Sequence, residues 1–369
     1  MLGASELNES MNTPRTLGYR MPAEWEPHEA TWLAWPHNPE DWPGKFSSIP
    51  WLYVEIVRLL AARERVHLIV ENAASEKRVT GMLHRAGANL QQVSFHRWPT
   101  DRGWTRDSGP IFVQDAKDRV GLTCWRFNGW AKYDDWKLDC RLPDRVRELL
   151  NMPAWQPAVR LADGLEHRIV LEGGSIDVNG AGALLTTEEC LLSEMQQRNP
   201  GLGRDRIEQA FSDYLGVDQV IWLGRGIAGD DTHGHIDDIA RFVSRETIVA
   251  AVEPDTRDSN HVLLAENLAR LKAVRTLAGG QFTIIELPMP RAVLFRGQRL
   301  PASYANFYIA NGVVLVPTFH DPNDRVALNI LAGVFPDRKV IGVHSVDLVW
   351  GLGALHCMTQ QQPAAGGLG

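Results

Sequence analysis

The sequence predicts a single α/β domain in which five similar helix–strand–hairpin units form a pseudo-symmetric ring. Three observations carry this expectation. Stretches with helical apolar spacing alternate with short β-branched runs. Asn-Gly pairs stand between apolar runs, where a hairpin would turn. The same order of elements then returns at a nearly regular interval, which is how repeat architectures announce themselves.

Taken in order, Leu52, Ile56, Leu59 and Leu60 share one helical face, and Val79, Met82, Leu83 and Ala86 form a second, stopped by Gly87. Ile207, Ala210, Phe211, Tyr214 and Leu215 repeat the pattern ahead of Gly216. Leu264, Leu268 and Leu271 make a fourth stripe, and Val326, Ile330 and Leu331 a fifth before Pro336. Buried strands are expected after four of them, at 66–70, 220–223, 282–287 and 340–343. Hairpins are expected over 173–185, turning at Asn179-Gly180, over 236–252, and over 304–316, turning at Asn311-Gly312.

The hairpins begin near Asp107, Glu172, His235, Asn306 and Cys357, at separations of 65, 63, 71 and 51 residues. If the units surround an axis, residues at equivalent starts converge on one central site. Polar residues falling at strand starts by coincidence is the competing reading, but four of these five are catalytic residue types. No Ser/Gly-rich linker interrupts the chain, so residues 21–363 are expected to be one domain. Residues 1–20 and the stretch from Gln360 onward read as loose, with 364–369 outside the domain.

Apolar residues make up 44% and charged residues 22%, enough for a substantial core. The net charge of −7, with no run of Lys or Arg, argues against nucleic acid and acidic membranes and suits a cationic ligand. The N-terminus lacks an apolar leader, and no stretch is long and apolar enough to span a bilayer. Cys124, Cys140, Cys190 and Cys357 show no CxxC spacing and read as reduced thiols, so the expected compartment is cytoplasmic.

Four segments carry chemistry. Cys357 closes the glycine-rich run Gly351-Leu352-Gly353-Ala354-Leu355-His356-Cys357 and is the candidate nucleophile, with Gly353 giving backbone access; the other three cysteines read as inert buried thiols. In Gly229-Asp230-Asp231-Thr232-His233-Gly234-His235-Ile236-Asp237, His235 and Asp237 share a strand face as a general acid/base and a carboxylate partner, unless the segment is only a surface turn. In Trp104-Thr105-Arg106-Asp107, a carboxylate beside an indole suits a planar cation, whereas Arg106 offers a local salt bridge instead. Glu172 ends an apolar run at Glu172-Gly173-Gly174, which alone is also an ordinary turn. Carboxylates, a thiol and an imidazole together suit a guanidinium, whose N–H groups match carboxylates bidentately.

These motifs resemble the agmatine deiminases, in the peptidyl-arginine-deiminase-like branch of the guanidine-modifying enzymes. The carriers are Met21-Pro22-Ala23-Glu24-Trp25, the segments 104–110, 171–175, 187–192, 234–237 and 302–308, and His356-Cys357-Met358-Thr359-Gln360-Gln361-Gln362-Pro363. They cover residues 21 to 363. The resemblance implies a pseudo-fivefold α/β propeller and hydrolysis of agmatine to N-carbamoylputrescine and ammonia, in putrescine synthesis, without metal or cofactor. It makes Cys357 the nucleophile and His235 the acid/base, gives the guanidinium to Asp107 and Asp237, and sets Glu172 against the guanidinium or the His. Trp104 is expected to line the substrate channel, and Asp230, Asp231 and Trp104 to meet the distal ammonium.

Other readings stay open at this stage. Peptidyl-arginine or free arginine could be the substrate. His233, His235, Asp237, Glu172 and Cys357 could instead hold zinc in a metal-dependent amidohydrolase, or the ring could bind polyamines without catalysis. A homodimer is expected.

Overall fold

The helix–strand–hairpin unit read from the sequence takes the form of an antiparallel strand pair joined, after a helix, by a parallel third strand. In the computed structural model, which describes residues 12–160 and 164–366, this order recurs in five sheets. Asp177–Val178 pairs antiparallel with Ala183–Thr187, and Gln219–Leu223 joins in parallel after the helix Arg204–Leu215. Ala240–Ser244, Thr247–Val252 and Thr283–Pro288 repeat this around the helix Asn260–Ala273. Tyr308–Ala310, Val313–Thr318 and Lys339–His344 do so around Pro322–Val334. Ile111–Asp115 and Val120–Thr123 gain Ala154–Trp155 after Leu142–Leu150.

The fifth sheet joins the two ends of the chain. Thr359–Pro363 runs antiparallel to His28–Ala34, which pairs in parallel with Arg65–Val70 after the helix Ile49–Leu60. Val93–Arg97 extends the sheet after Ala73–Arg85. The five expected helices and four expected strands are all present. Gly216 ends its helix at φ 69°, a left-handed conformation that glycine adopts without strain. Among the described residues no helix is long and apolar enough to cross a membrane.

Both ends correct the sequence reading. Tyr19–Arg20 pairs with the strand Ile111–Asp115, and Tyr19 is buried in the core. Residues 1–11 and 367–369 lie outside the described residues. Gln360, Gln361 and Gln362 are buried strand residues because each amide finds a partner: Pro110 O at 2.9 Å, Arg106 Nη1 at 2.6 Å and Trp32 Nε1 at 3.0 Å. The five hairpin-start residues also stand slightly earlier than expected. Asp107 lies in the single turn Thr105–Ser108, and Glu172 and His235 immediately precede one-turn helices.

The interior also holds a charged network. Glu24 Oε2 accepts from His356 Nε2 at 2.8 Å and Arg106 Nη2 at 3.2 Å, and lies 3.0 Å from Arg241 Nη2. Glu24 Oε1 accepts from the Ile309 amide at 2.8 Å. The far side of the His356 ring reaches Asp237, Nδ1 to Oδ2 at 2.7 Å. Burial would raise the Glu24 carboxyl, but Arg241, His356 and Arg106 outweigh it and hold the group well below the usual carboxylate range. Replacing His356 by Ala leaves two buried carboxylates without their bridge. The expected loss is about 3–5 kcal/mol of unfolding free energy, read from the urea midpoint; an unchanged midpoint contradicts the bridge.

Candidate active site

Cys357 enters the interior two residues before the strand Thr359–Pro363. Its backbone is tied to the Asp107 segment, because Cys357 O accepts from the Arg106 amide at 3.2 Å and Met358 O from Thr105 Oγ1 at 2.6 Å. The sulfur lies 3.2 Å from Asn306 Nδ2 and 3.7 Å from Asp237 Oδ2. It opens on a cavity of ≈390 Å³ whose walls include Trp104, Asp107, Trp130, Tyr133, Asp231 and Gly353.

Asp107, Asp237 and His235 meet around one glycine. A methyl group on Gly174 would stand 2.6 Å from His235 Nδ1, 2.9 Å from Asp107 Oδ1 and 3.0 Å from Asp237 Oδ2. Only a residue without Cβ lets the three groups converge there. Asp107 is oriented by the Trp130 indole N–H, which donates to Oδ2 at 2.9 Å, and by the Gly174 amide, which donates to Oδ1 at 3.0 Å. Glu172 is held by Arg198 Nε at 3.1 and 3.3 Å. His235 stands between the acids, Nδ1 3.9 Å from Asp107 and Nε2 3.7 Å from Glu172. Neither of its ring nitrogens, nor Asp237 Oδ1, has a hydrogen-bond partner among the described residues.

The electrostatics follow from burial and crowding. Burial disfavours a charged imidazole, but Asp107, Cys190 and Glu172 outweigh it and push His235 well above its ordinary value. For Glu172, burial is overcome by Arg198 and His235, which hold the carboxyl at about 2. In Asp237, His356, His235 and Arg241 overcome burial and depress the carboxyl. Asp107 goes the other way, raised by burial and by Asp237 and Glu172 against the pull of His235. Burial, reinforced by Asp237, Asp238 and Asp107, drives the Cys357 thiol well above its ordinary value.

The structure thus brings together Cys357, Asp107, Asp237, His235 and Glu172. Trp104 walls the cavity, its ring so near Gly353 that a methyl group there would lie 2.8 Å from Cζ3. Asp231 also reaches the cavity, bonded to the Tyr133 hydroxyl at 2.7 Å and paired with Lys132. Asp230 departs from the expectation. Its oxygens accept from the Thr232 amide at 2.8 Å and the Gly234 amide at 2.6 Å, so it shapes its own loop and does not face the cavity.

The zinc reading loses members in the same way. His233, at φ 64°, turns its ring to Ser193 Oγ at 3.2 Å, while Asp237 is taken up by His356. Glu172, Cys190 and His235 do cluster, with one donor atom from each within 4.8 Å of the others. The Arg198 guanidinium against Glu172 opposes a further cation there. Cys190 is therefore no isolated core thiol. Sequence reasoning also gave no role to Trp130, Arg198, His356 or Asn306. Of these, Asn306 carried a signal in its place in the repeat and His356 in the motif before Cys357, whereas Trp130 and Arg198 carried none.

Comparison with known proteins identifies the family. Residues 20–363 match the model of the Porphyromonas-type peptidyl-arginine deiminases. The chain belongs to that family. It is 34% identical to the agmatine deiminase of Pseudomonas aeruginosa, over 97% of this chain and 99% of that one. It is similar to the solved agmatine deiminase of Enterococcus faecalis, with a TM-score of 0.86 at 30% identity over 98% of each chain. A substrate-bound agmatine deiminase of C. jejuni superposes with a TM-score of 0.82 at 29% identity, over 94% of this chain and 97% of that one.

Two outcomes test the site of this family member. Gly174→Ala is expected to lower kcat/KM by about a hundredfold or more by displacing the three groups around it, while thermal unfolding shows the variant folded; a folded variant with normal turnover contradicts the convergence. Because the thiol is raised, its thiolate fraction grows about tenfold per pH unit below the pKa. Iodoacetamide should therefore inactivate the free enzyme faster with each pH step through pH 9 and beyond, and a rate that levels off below pH 8 would show a lowered thiol and contradict the direction.

Proposed function

We propose that this chain hydrolyses agmatine to N-carbamoylputrescine and ammonia, with Cys357 as nucleophile. The observation that carries the reading is the convergence at Gly174 of His235, Asp107 and Asp237, with the Cys357 sulfur beside Asp237. Asp107 and Asp237 would accept the guanidinium N–H groups, and the bound cation would favour thiolate over thiol at Cys357. The thiolate adds to the guanidinium carbon, giving a tetrahedral adduct. His235 passes a proton to one amino group, the C–N bond breaks and ammonia leaves, and an S-linked thiouronium remains. His235, now neutral, takes a proton from water as its oxygen adds to the same carbon. Collapse breaks the C–S bond, returns the thiolate and, as the remaining hydroxyl proton passes to solvent, releases the neutral ureido product. Glu172, anchored by Arg198, keeps the His235 ring in place and favours its charged form.

Substrate choice is supported by what surrounds the cavity. Arg102 lines it, yet its guanidinium is engaged by Asp41 at 2.6 Å and Asp135 at 3.0 Å, and Lys132 is paired with Asp231. Neither cation is left to receive the α-carboxylate of free arginine. Glu40 and Trp104, which also line the cavity, instead suit the distal ammonium of agmatine. We further infer that the five sheets stand as blades of a pseudo-fivefold α/β propeller, with the site on its axis. The same reading sets the activity in the cytoplasm, within putrescine synthesis.

The test is ammonia release from agmatine, free arginine and an arginyl peptide by the wild type and Cys357→Ala. The expected result is a kcat/KM for agmatine at least about a hundredfold above the other two, lost in the variant while agmatine binding persists. Turnover by Cys357→Ala, or loss of activity to a chelator alone, contradicts the mechanism. A preference for the arginyl peptide contradicts the substrate.

A further inference from the structure

We propose that Asn306 is a further catalytic residue, donating its side-chain N–H to the sulfur of Cys357 and stabilising the thiolate that attacks and is later expelled. The proposal rests on the reading of Cys357 as nucleophile and extends it to a residue from a different sheet.

The orientation of the Asn306 amide is fixed by its surroundings. Its Oδ1 accepts from the His356 backbone amide at 3.0 Å, and a backbone N–H can only donate. The opposite end must therefore be the NH2 group. From there Nδ2 reaches the sulfur at 3.2 Å and Asp238 Oδ1 at 3.1 Å. The side chain is fully buried and cannot rotate to trade these partners for water. The backbone adds to the clamp, since Asn306 O also accepts from the His356 amide, at 3.2 Å.

The chemistry asks for a donor of this kind. The charged groups facing the sulfur are Asp107, Asp237 and Asp238, all of which oppose a thiolate, and the Tyr53 phenol lies within electrostatic range. Asp237 in turn meets His356. A cationic donor in that position would be drawn to the carboxylates and would compete with the substrate for them. An amide supplies a directed partial positive charge, does not titrate, and leaves the carboxylates to the guanidinium. A hydrogen bond to a charged acceptor is among the stronger ones in a protein interior. Asn306 also stands in its unit where Asp107, Glu172, His235 and Cys357 stand in theirs, just ahead of the first strand of a sheet.

The experiment measures alkylation of Cys357 by iodoacetamide without substrate, from pH 6.5 to 10, with the modified residue mapped by mass spectrometry. Wild type, Asn306→Ala and Asn306→Asp are compared, with agmatine kinetics alongside. Asn306→Asp keeps the oxygen facing His356 and replaces the N–H by an oxygen. Both variants are expected to alkylate about tenfold more slowly at pH 8, with the profile displaced to higher pH by about one unit. In both, kcat should fall at least as much while the KM for agmatine stays within about threefold. Alkylation profiles that superimpose on wild type overturn the proposal, as does an effect confined to KM. If Asn306→Asp fails to fold, Asn306→Ala decides alone. Failure here with an inactive Cys357→Ala removes only the role of Asn306, whereas an active Cys357→Ala removes the nucleophile itself.

Discussion

One oxygen of Asp237 has no hydrogen-bond partner among the described residues, while the other is held by His356, and His356 in turn is held by Glu24. This bridge places two carboxylates and an imidazole where water does not reach, an arrangement that is expensive unless every charge is matched. Arg106 and Arg241 supply the matching charge on Glu24, and Asp177 anchors Arg241 through Nε at 2.8 Å. The participants come from residues 24, 106, 177, 237, 241 and 356, so no segment contributes more than a fragment. The closing sheet, in which Thr359–Pro363 pairs with His28–Ala34, brings the first and last of them together. Closure of the fold and orientation of the site are thus one event.

The same crowding explains the resting state of the site. Around the sulfur the nearby charges are mainly negative, so burial and the carboxylates both favour the neutral thiol. His235 responds in the opposite sense and holds its proton. A cation between Asp107 and Asp237 would complete this balance, and under the proposed function a guanidinium supplies it. On that reading binding and activation of the nucleophile are coupled, since a cation held by the acids would favour the thiolate. An uncharged molecule in the same cavity would leave the thiol protonated.

Much of this was legible in the sequence, and what was not has a common cause. Helices such as Ile49–Leu60 and Arg204–Leu215 announced themselves by apolar spacing, and the hairpin turns at Asn179 and Asn311 by local chemistry, because those signals lie within a few residues. Cys357, His235, Asp107, Asp237 and Glu172 were singled out through motif and repeat, and the structure brings them together. The strand at Gln360 to Gln362 was missed because polar residues read as surface until partners such as Arg106 and Trp32 are known. Trp130 and Arg198 were missed for the same reason, since each acts on a carboxylate tens of residues away. Asp230 was overread: an Asp two residues before Thr232 and four before Gly234 is well placed to serve its own turn, and it does.

The repeat accounts for how so few residues make the site. Each sheet begins from a loop or single turn that enters the interior, and each carries one polar side chain inward: Asp107, Glu172, His235, Asn306 and Cys357. Five approaches to one point would collide if every one carried a Cβ. Gly174 relieves the crowding where Asp107, Asp237 and His235 meet, and Gly353 does so where Trp104 packs beside Cys357. Those glycines are required by distance, since neither takes a left-handed φ. What distinguishes the units is the charge each delivers, and the assembled set (three acids, one imidazole, one amide and one thiol, counting Asp237 beside His235) has a balance that the planar cation of the proposed function would complete.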